Sequence, residues 1–112
     1  MEIGALLEAH VERFNSAVLA GSFQEMVAHF TEDAVMSFEG VPVGPFRGRE
    51  AIAAAYEAQP PDDRLVLLEV LGRSGDSIDV SYAWAGTPET RAGTMTVQRA
   101  GDLISRLVVR FE

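Results

Sequence analysis

Few side chains in this 112-residue sequence pair a reactive type with a spacing that suggests chemistry. His10 is one. It falls within the repeat Ile3, Leu6, Leu7, His10, Val11, Phe14, Ala17 and Val18, which puts an imidazole on the apolar face of a helix. There it could act as a general base on a pocket wall, or sit as a buried core histidine with one nitrogen satisfied. His29 lies off the Phe23–Met26–Phe30 face of the next segment. The two are too far apart in sequence for a helical metal pair, and no ligand set accompanies either, so no metal site is expected. Tyr82 and Trp84 are large amphipathic side chains on one face of a strand, alternating with Ser81 and Ala83. They either line an apolar ligand cavity or fill a dimer interface. Asp79 should face away from them. Arg106 and Arg110 alternate against Leu107, Val109 and Phe111 and are expected to pair with carboxylates.

Several chemistries are excluded. There is no cysteine, which removes disulfides, zinc-thiolate sites, iron–sulfur clusters and thiol nucleophiles. The glycine-rich stretch Gly40–Gly48 lacks the lysine and spacing of a phosphate loop, and no Gly-x-Ser-x-Gly elbow occurs. No nucleotide, flavin or other cofactor is expected. With 9 basic and 17 acidic side chains the formal charge is −8, which argues against duplex nucleic acid or an anionic membrane as partner. The first residues lack the basic and apolar regions of a secretory peptide, and no apolar run approaches the roughly 20 residues of a membrane span. A soluble, cytoplasmic protein is expected.

The elements that must position these residues change character once along the chain. The first half reads at helical period: a helix over about residues 2–20, ended by Gly21, then a second helix begun by Ser22 with Glu25 completing a capping box. Thr31-Glu32-Asp33 reads as the turn out. Ala34 to Glu39 reads as a first strand, and a third helix starts near Arg49 with Ile52, Ala55 and Tyr56 on one face. The second half reads at strand period: Arg64–Leu71, a strand carrying Ile78 to Trp84, Ala92–Arg99 and Leu103–Phe111, joined by short turns as a meander. The fold class is α+β, with three helices packed on a strongly curved antiparallel sheet in one domain over residues 1–112. Leu65–Leu68 and Leu107–Val109 are continuous apolar runs, as in strands buried on both faces. The expected cover for the outer face is a second copy of the sheet, giving a homodimer.

This order resembles the nuclear transport factor 2-like superfamily. Ala20-Gly21-Ser22-Phe23, Phe30-Thr31-Glu32-Asp33-Ala34-Val35, Gly48-Arg49-Glu50-Ala51-Ile52 and Tyr56 look like its ketosteroid isomerase and SnoaL-like branch. The resemblance implies a cone-shaped fold around a deep apolar pocket. It also implies a carboxylate base at the end of the first strand. Counting back from Gly48-Arg49-Glu50 puts that base at Glu39, whereas counting forward from Asp33-Ala34 puts Phe38 there. A bulge between Val35 and Phe38 would reconcile the counts in favour of Glu39. The oxyanion tyrosine and aspartic acid of the steroid isomerases fall on Phe14 and near Met95, so neither donor is kept. Tyr56 matches a supporting pocket tyrosine and could take over as donor. The aspartate constellation of the epoxide hydrolases and the paired histidines of the dehydratases are not matched either.

Two functions follow from the resemblance. One is an isomerase or polyketide-type cyclase acting on a rigid apolar ketone, with Glu39 moving a proton next to the carbonyl, Tyr56 or an ordered water supporting the enolate, and His10 as reserve base. Phe14, Phe38, Tyr82, Trp84, Met95 and Val97 would line the walls. The other is a non-catalytic ligand-binding or association domain, favoured by the missing oxyanion donors and by a pocket mouth that the short C-terminal end leaves with little cover.

Overall fold

The computed structural model describes residues 1–112. Helix α1 spans Ile3–Ala20 and buries Ile3, Leu6, Leu7, His10, Val11, Phe14 and Ala17, the face expected from their spacing. The Glu2 carboxylate caps it by accepting from the amides of Gly4 at 2.7 Å and Ala5 at 3.2 Å. Gly21, at φ 72°, ends it in the left-handed conformation and donates its amide to the Ala17 carbonyl. Helix α2, Gln24–Val27, is a single turn. The expected capping box does not form: Phe23, not Ser22, is the N-cap, and no side chain caps the turn. A four-residue helix has little backbone to cap, and burial of Phe23, Met26 and Val27 holds it instead.

Strand β1, Phe30–Glu39, starts earlier than expected and absorbs Thr31-Glu32-Asp33, whose sequence reads as a turn. The short strand β2, Phe46–Arg47, returns antiparallel to β1. Helix α3, Arg49–Ala58, follows and buries Ile52 and Tyr56. Only two helices therefore precede the first strand, and the third comes after the β1–β2 hairpin. Strands β3 (Leu65–Ser74), β4 (Ser77–Trp84), β5 (Arg91–Ala100) and β6 (Leu103–Phe111) form the meander.

The six strands lie in the order β2-β1-β6-β5-β4-β3. β6 runs parallel to β1, so the sheet is mixed rather than wholly antiparallel. The chain joins these two strands only after crossing over the whole meander, a long-range pairing that local patterning does not encode. The pairings of β1, β3, β4 and β5 each contain register shifts, which bend the sheet toward the helices. A core of 22 buried residues fills the concave side. No helix is long and apolar enough to cross a membrane.

The outer face of the sheet is largely polar. Arg110 lies 3.4 Å from Glu39 and donates to the Thr96 hydroxyl at 2.9 Å, and Thr96 in turn donates to Asp79. Val108, the outward residue of the Leu107–Val109 run, is already buried within one chain. The exposed apolar residues of the sheet are instead Leu68, Val70 and Leu71 on the edge strand β3, with Phe111 at the end of β6.

Candidate functional site

The concave face and helices α1 and α3 enclose a cavity of about 320 Å³. Of its 18 lining residues, 15 are hydrophobic and none is acidic, a lysine or an arginine. α1 contributes His10 and Phe14, one turn apart. α3 contributes Ala55 and Tyr56. The sheet supplies Met36 and Phe38 from β1, Tyr82 and Trp84 from β4, Met95 from β5, and Leu107, Val109 and Phe111 from β6. Side chains two apart on a strand share a face, so each strand delivers alternate residues to the wall.

Asn15 fixes the position of the α1 wall. Its Nδ2 donates to the Leu65 carbonyl at 3.0 Å and its Oδ1 accepts the Leu65 amide at 2.7 Å. At the other side of the cavity Phe38 stacks on Phe111, with centroids 6.1 Å apart and planes at 10°, and meets Phe46 edge-on at 6.3 Å. Val41 and Val43, both exposed, extend this apolar rim along the β1–β2 loop.

Seven of the expected site residues line the cavity together: His10, Phe14, Phe38, Tyr56, Tyr82, Trp84 and Met95. Val97 does not. It is fully buried in the core, one step deeper on β5. Glu39 is also outside the cavity. The bulge expected between Val35 and Phe38 is absent: β1 pairs with β6 in unbroken register from Val35–Arg106 to Glu39–Arg110. The irregularity lies upstream, between Phe30 and Val35. Alternation then turns Met36 and Phe38 inward and Glu39 outward, where its side chain is 60% exposed beside Arg110. The carboxylate base that the resemblance implied is therefore not in the cavity. His29 stands apart as well, its Nδ1 held by the Glu25 carbonyl at 2.9 Å.

Met36, Phe46, Leu65, Leu107, Val109 and Phe111 escaped the sequence reading as wall residues. A signal existed for some of them. Met36 stands two before Phe38, and Leu107, Val109 and Phe111 alternate with the two arginines.

The polar groups of the cavity are neutral. Burial pushes the His10 pKa down to about 4, with the charges of Arg13 and His29 adding to the effect. Burial raises the Tyr56 hydroxyl well above its ordinary range, and its ring stacks on Phe23 at 5.0 Å. Tyr82 is pushed up to about 12 by burial, with Glu112 contributing. Two of these side chains carry a buried polar atom without a hydrogen-bond partner in the protein: Nδ1 of His10 and the hydroxyl of Tyr82. Leaving such a group unsatisfied costs about 1–3 kcal/mol.

Comparison with known proteins gives a consistent fold. The sequence matches the SnoaL-like domain over residues 11–110. A nuclear transport factor 2-like protein of Cytophaga hutchinsonii superposes with a TM-score of 0.74 at 15% identity, over 100% of this chain and 91% of its own. A Mycobacterium tuberculosis protein solved with estradiol-17beta-hemisuccinate gives 0.68 at 19% identity, over 90% and 89%. A computationally designed 17-OHP binder gives 0.66 at 20% identity, over 93% and 88%. At these identities the likeness is one of fold. A search of curated proteins finds no match.

Proposed function

Because the chain belongs to the SnoaL-like domain family over residues 11–110, we propose that its cavity is a binding site for an uncharged, largely apolar small molecule of polycyclic or steroid-like size. The observation that carries this reading is the lining itself, 15 hydrophobic residues of 18 with no acid among them. Pockets of this size and composition bury most of a drug-sized ligand and orient it with a few polar groups. One structure of the same fold is solved with estradiol-17beta-hemisuccinate and another is built to bind 17-OHP, which supports the steroid-like size.

Enolate chemistry on a ketone, the activity implied by the family resemblance, would need a base inside the cavity. Glu39 lies on the other face of its strand. His10, with a pKa of about 4, is a weak acceptor for a carbon-bound proton at neutral pH. Binding without isomerisation is therefore the reading that this geometry supports best. Pairing of two chains through the sheet belongs to the same proposal, supported by Leu68, Val70 and Leu71 exposed on β3, and sedimentation at two concentrations tests it.

Trp84 is the one tryptophan of the sequence and lines the cavity, so its emission reports occupancy. Titration with progesterone should quench or shift that emission saturably, and Val109→Phe, which places a ring in the cavity, should abolish the response. An emission unchanged up to the solubility limit would overturn the proposal. An absorbance assay with 5-androstene-3,17-dione should show isomerisation at the buffer rate only; a clear enzymatic rate would restore the catalytic reading.

A further inference from the structure

The rim of the cavity is held unevenly. On one side Asn15 ties α1 to β3 through both backbone groups of Leu65. On another, the chain leaves β1 at Glu39 and crosses residues 40–45 before β2 begins at Phe46. No turn or loop backbone hydrogen bond falls on residues 41–45. A segment without such bonds opens and closes at low free-energy cost. Gly40 and Gly44, at φ 95° and 76°, bound it in the left-handed region that glycine alone enters freely. Between them the ring of Pro42 fixes its own φ, so Val41-Pro42-Val43 is a stiff apolar piece between two pliant joints. Both valines line the cavity, yet they remain 39% and 42% exposed. Phe111, across β1 at the end of β6, lines it too and is 40% exposed.

We infer that residues 40–45 form a lid, with Val41 and Val43 folding over the mouth once an apolar ligand fills the cavity. The inference rests on the cavity's being a ligand site, as proposed above. With the cavity empty, inward movement of the valines meets a void, which offers no atoms for dispersion contact. A bound apolar ligand supplies those atoms, and closure then removes apolar surface of both partners from water. The ligand thus has a contact with the closed form that it lacks with the open form, which is what a population shift requires. Entry takes place through the open form, so the lid acts mainly on how long the ligand stays.

Trp84 emission with progesterone as probe follows the lid by stopped flow. Val41→Ser and Val43→Ser together alter only exposed side chains of the loop and should speed progesterone dissociation about tenfold, with the association rate within about twofold of wild type. Leu19→Ser, at an exposed position on α1 away from the cavity, should change neither rate. A second readout follows the loop itself. The chain has no cysteine, so Val43→Cys supplies a single thiol. Its alkylation by iodoacetamide should slow about fivefold or more at saturating progesterone, because thiol reactivity requires access. Leu19→Cys should react at one rate with or without progesterone. Unchanged dissociation in the double serine variant, or unchanged alkylation of Val43→Cys at saturation, would overturn the lid while leaving the cavity as a binding site. A wild-type Trp84 emission that ignores progesterone would overturn the cavity reading and the lid with it.

Discussion

Asn15 holds both backbone groups of Leu65, donating from Nδ2 to the carbonyl at 3.0 Å and accepting the amide on Oδ1 at 2.7 Å. The residues are 50 apart in sequence. One side chain thus satisfies the first residue of β3 and fixes the helix wall against the sheet wall, with Leu65 itself on the cavity. Asn15→Ala would leave two part-buried backbone groups unpaired, a loss of about 1–2 kcal/mol. Urea unfolding should show a lower midpoint with an unchanged slope. Asn15→Asp keeps the acceptor and loses the donor, so it should fall between wild type and alanine.

Gly93 lies where the backbone of β6 comes too close to β5 for any side chain. A Cβ there would lie 1.8 Å from the Arg110 carbonyl oxygen and 2.9 Å from its carbon, both backbone atoms that have no rotamer to move into. It sits opposite Tyr82 on β4 and Phe111 on β6, two cavity residues. Gly93→Ala must push the two strands apart, at a cost of roughly 2–3 kcal/mol. A melting temperature within 1–2 °C of wild type, about what a surface substitution gives, would show that the strand yields without strain.

The helix faces were legible because burial repeats at three and four, and His10, Phe14 and Tyr56 occupy the positions their spacing indicates. Tyr82 and Trp84 were legible for the equivalent reason on a strand, and Met95 through the family resemblance. Glu39 was misplaced because a strand has a period of two, so an error of one residue exchanges pocket for solvent. The shift that decides it lies between Phe30 and Val35, within a stretch whose sequence reads as a turn. The parallel β1–β6 pairing was illegible because its partners are about seventy residues apart and only the closed sheet brings them together. Val97 was expected on the wall together with Met95, and it shares the strand face but not the cavity. Val97 is packed within the core, with no exposure, while Met95 reaches the cavity.

Tyr82 carries a buried hydroxyl that costs the fold stability. Its hydroxyl has no partner in the protein, and burial holds its pKa near 12. Tyr82→Phe removes that unsatisfied group without opening a cavity, so the variant should be more stable by about 1 kcal/mol. Chemical denaturation of the two proteins side by side is the check, and a destabilised variant would mean that the hydroxyl is satisfied after all.

His10 should make stability depend on pH over a defined window. Its pKa is about 4 in the fold against 6.5 for the free side chain, with burial the main cause. The unfolded chain therefore binds a proton that the folded chain refuses. Between those two values stability rises with pH, so the contribution is present above pH 6.5 and is lost as pH falls toward 4. The shift corresponds to about 3 kcal/mol at most. Carboxylates titrate in part of the same range, so wild type alone does not isolate the effect. His10→Phe removes the titrating group and keeps a ring against Phe30. Urea midpoints of both proteins at pH 7.5, 6, 5 and 4.5 should diverge steadily on acidification, with the wild type losing the more. Parallel curves would mean that the imidazole charges freely within the fold, and that the His10 wall of the cavity is wet.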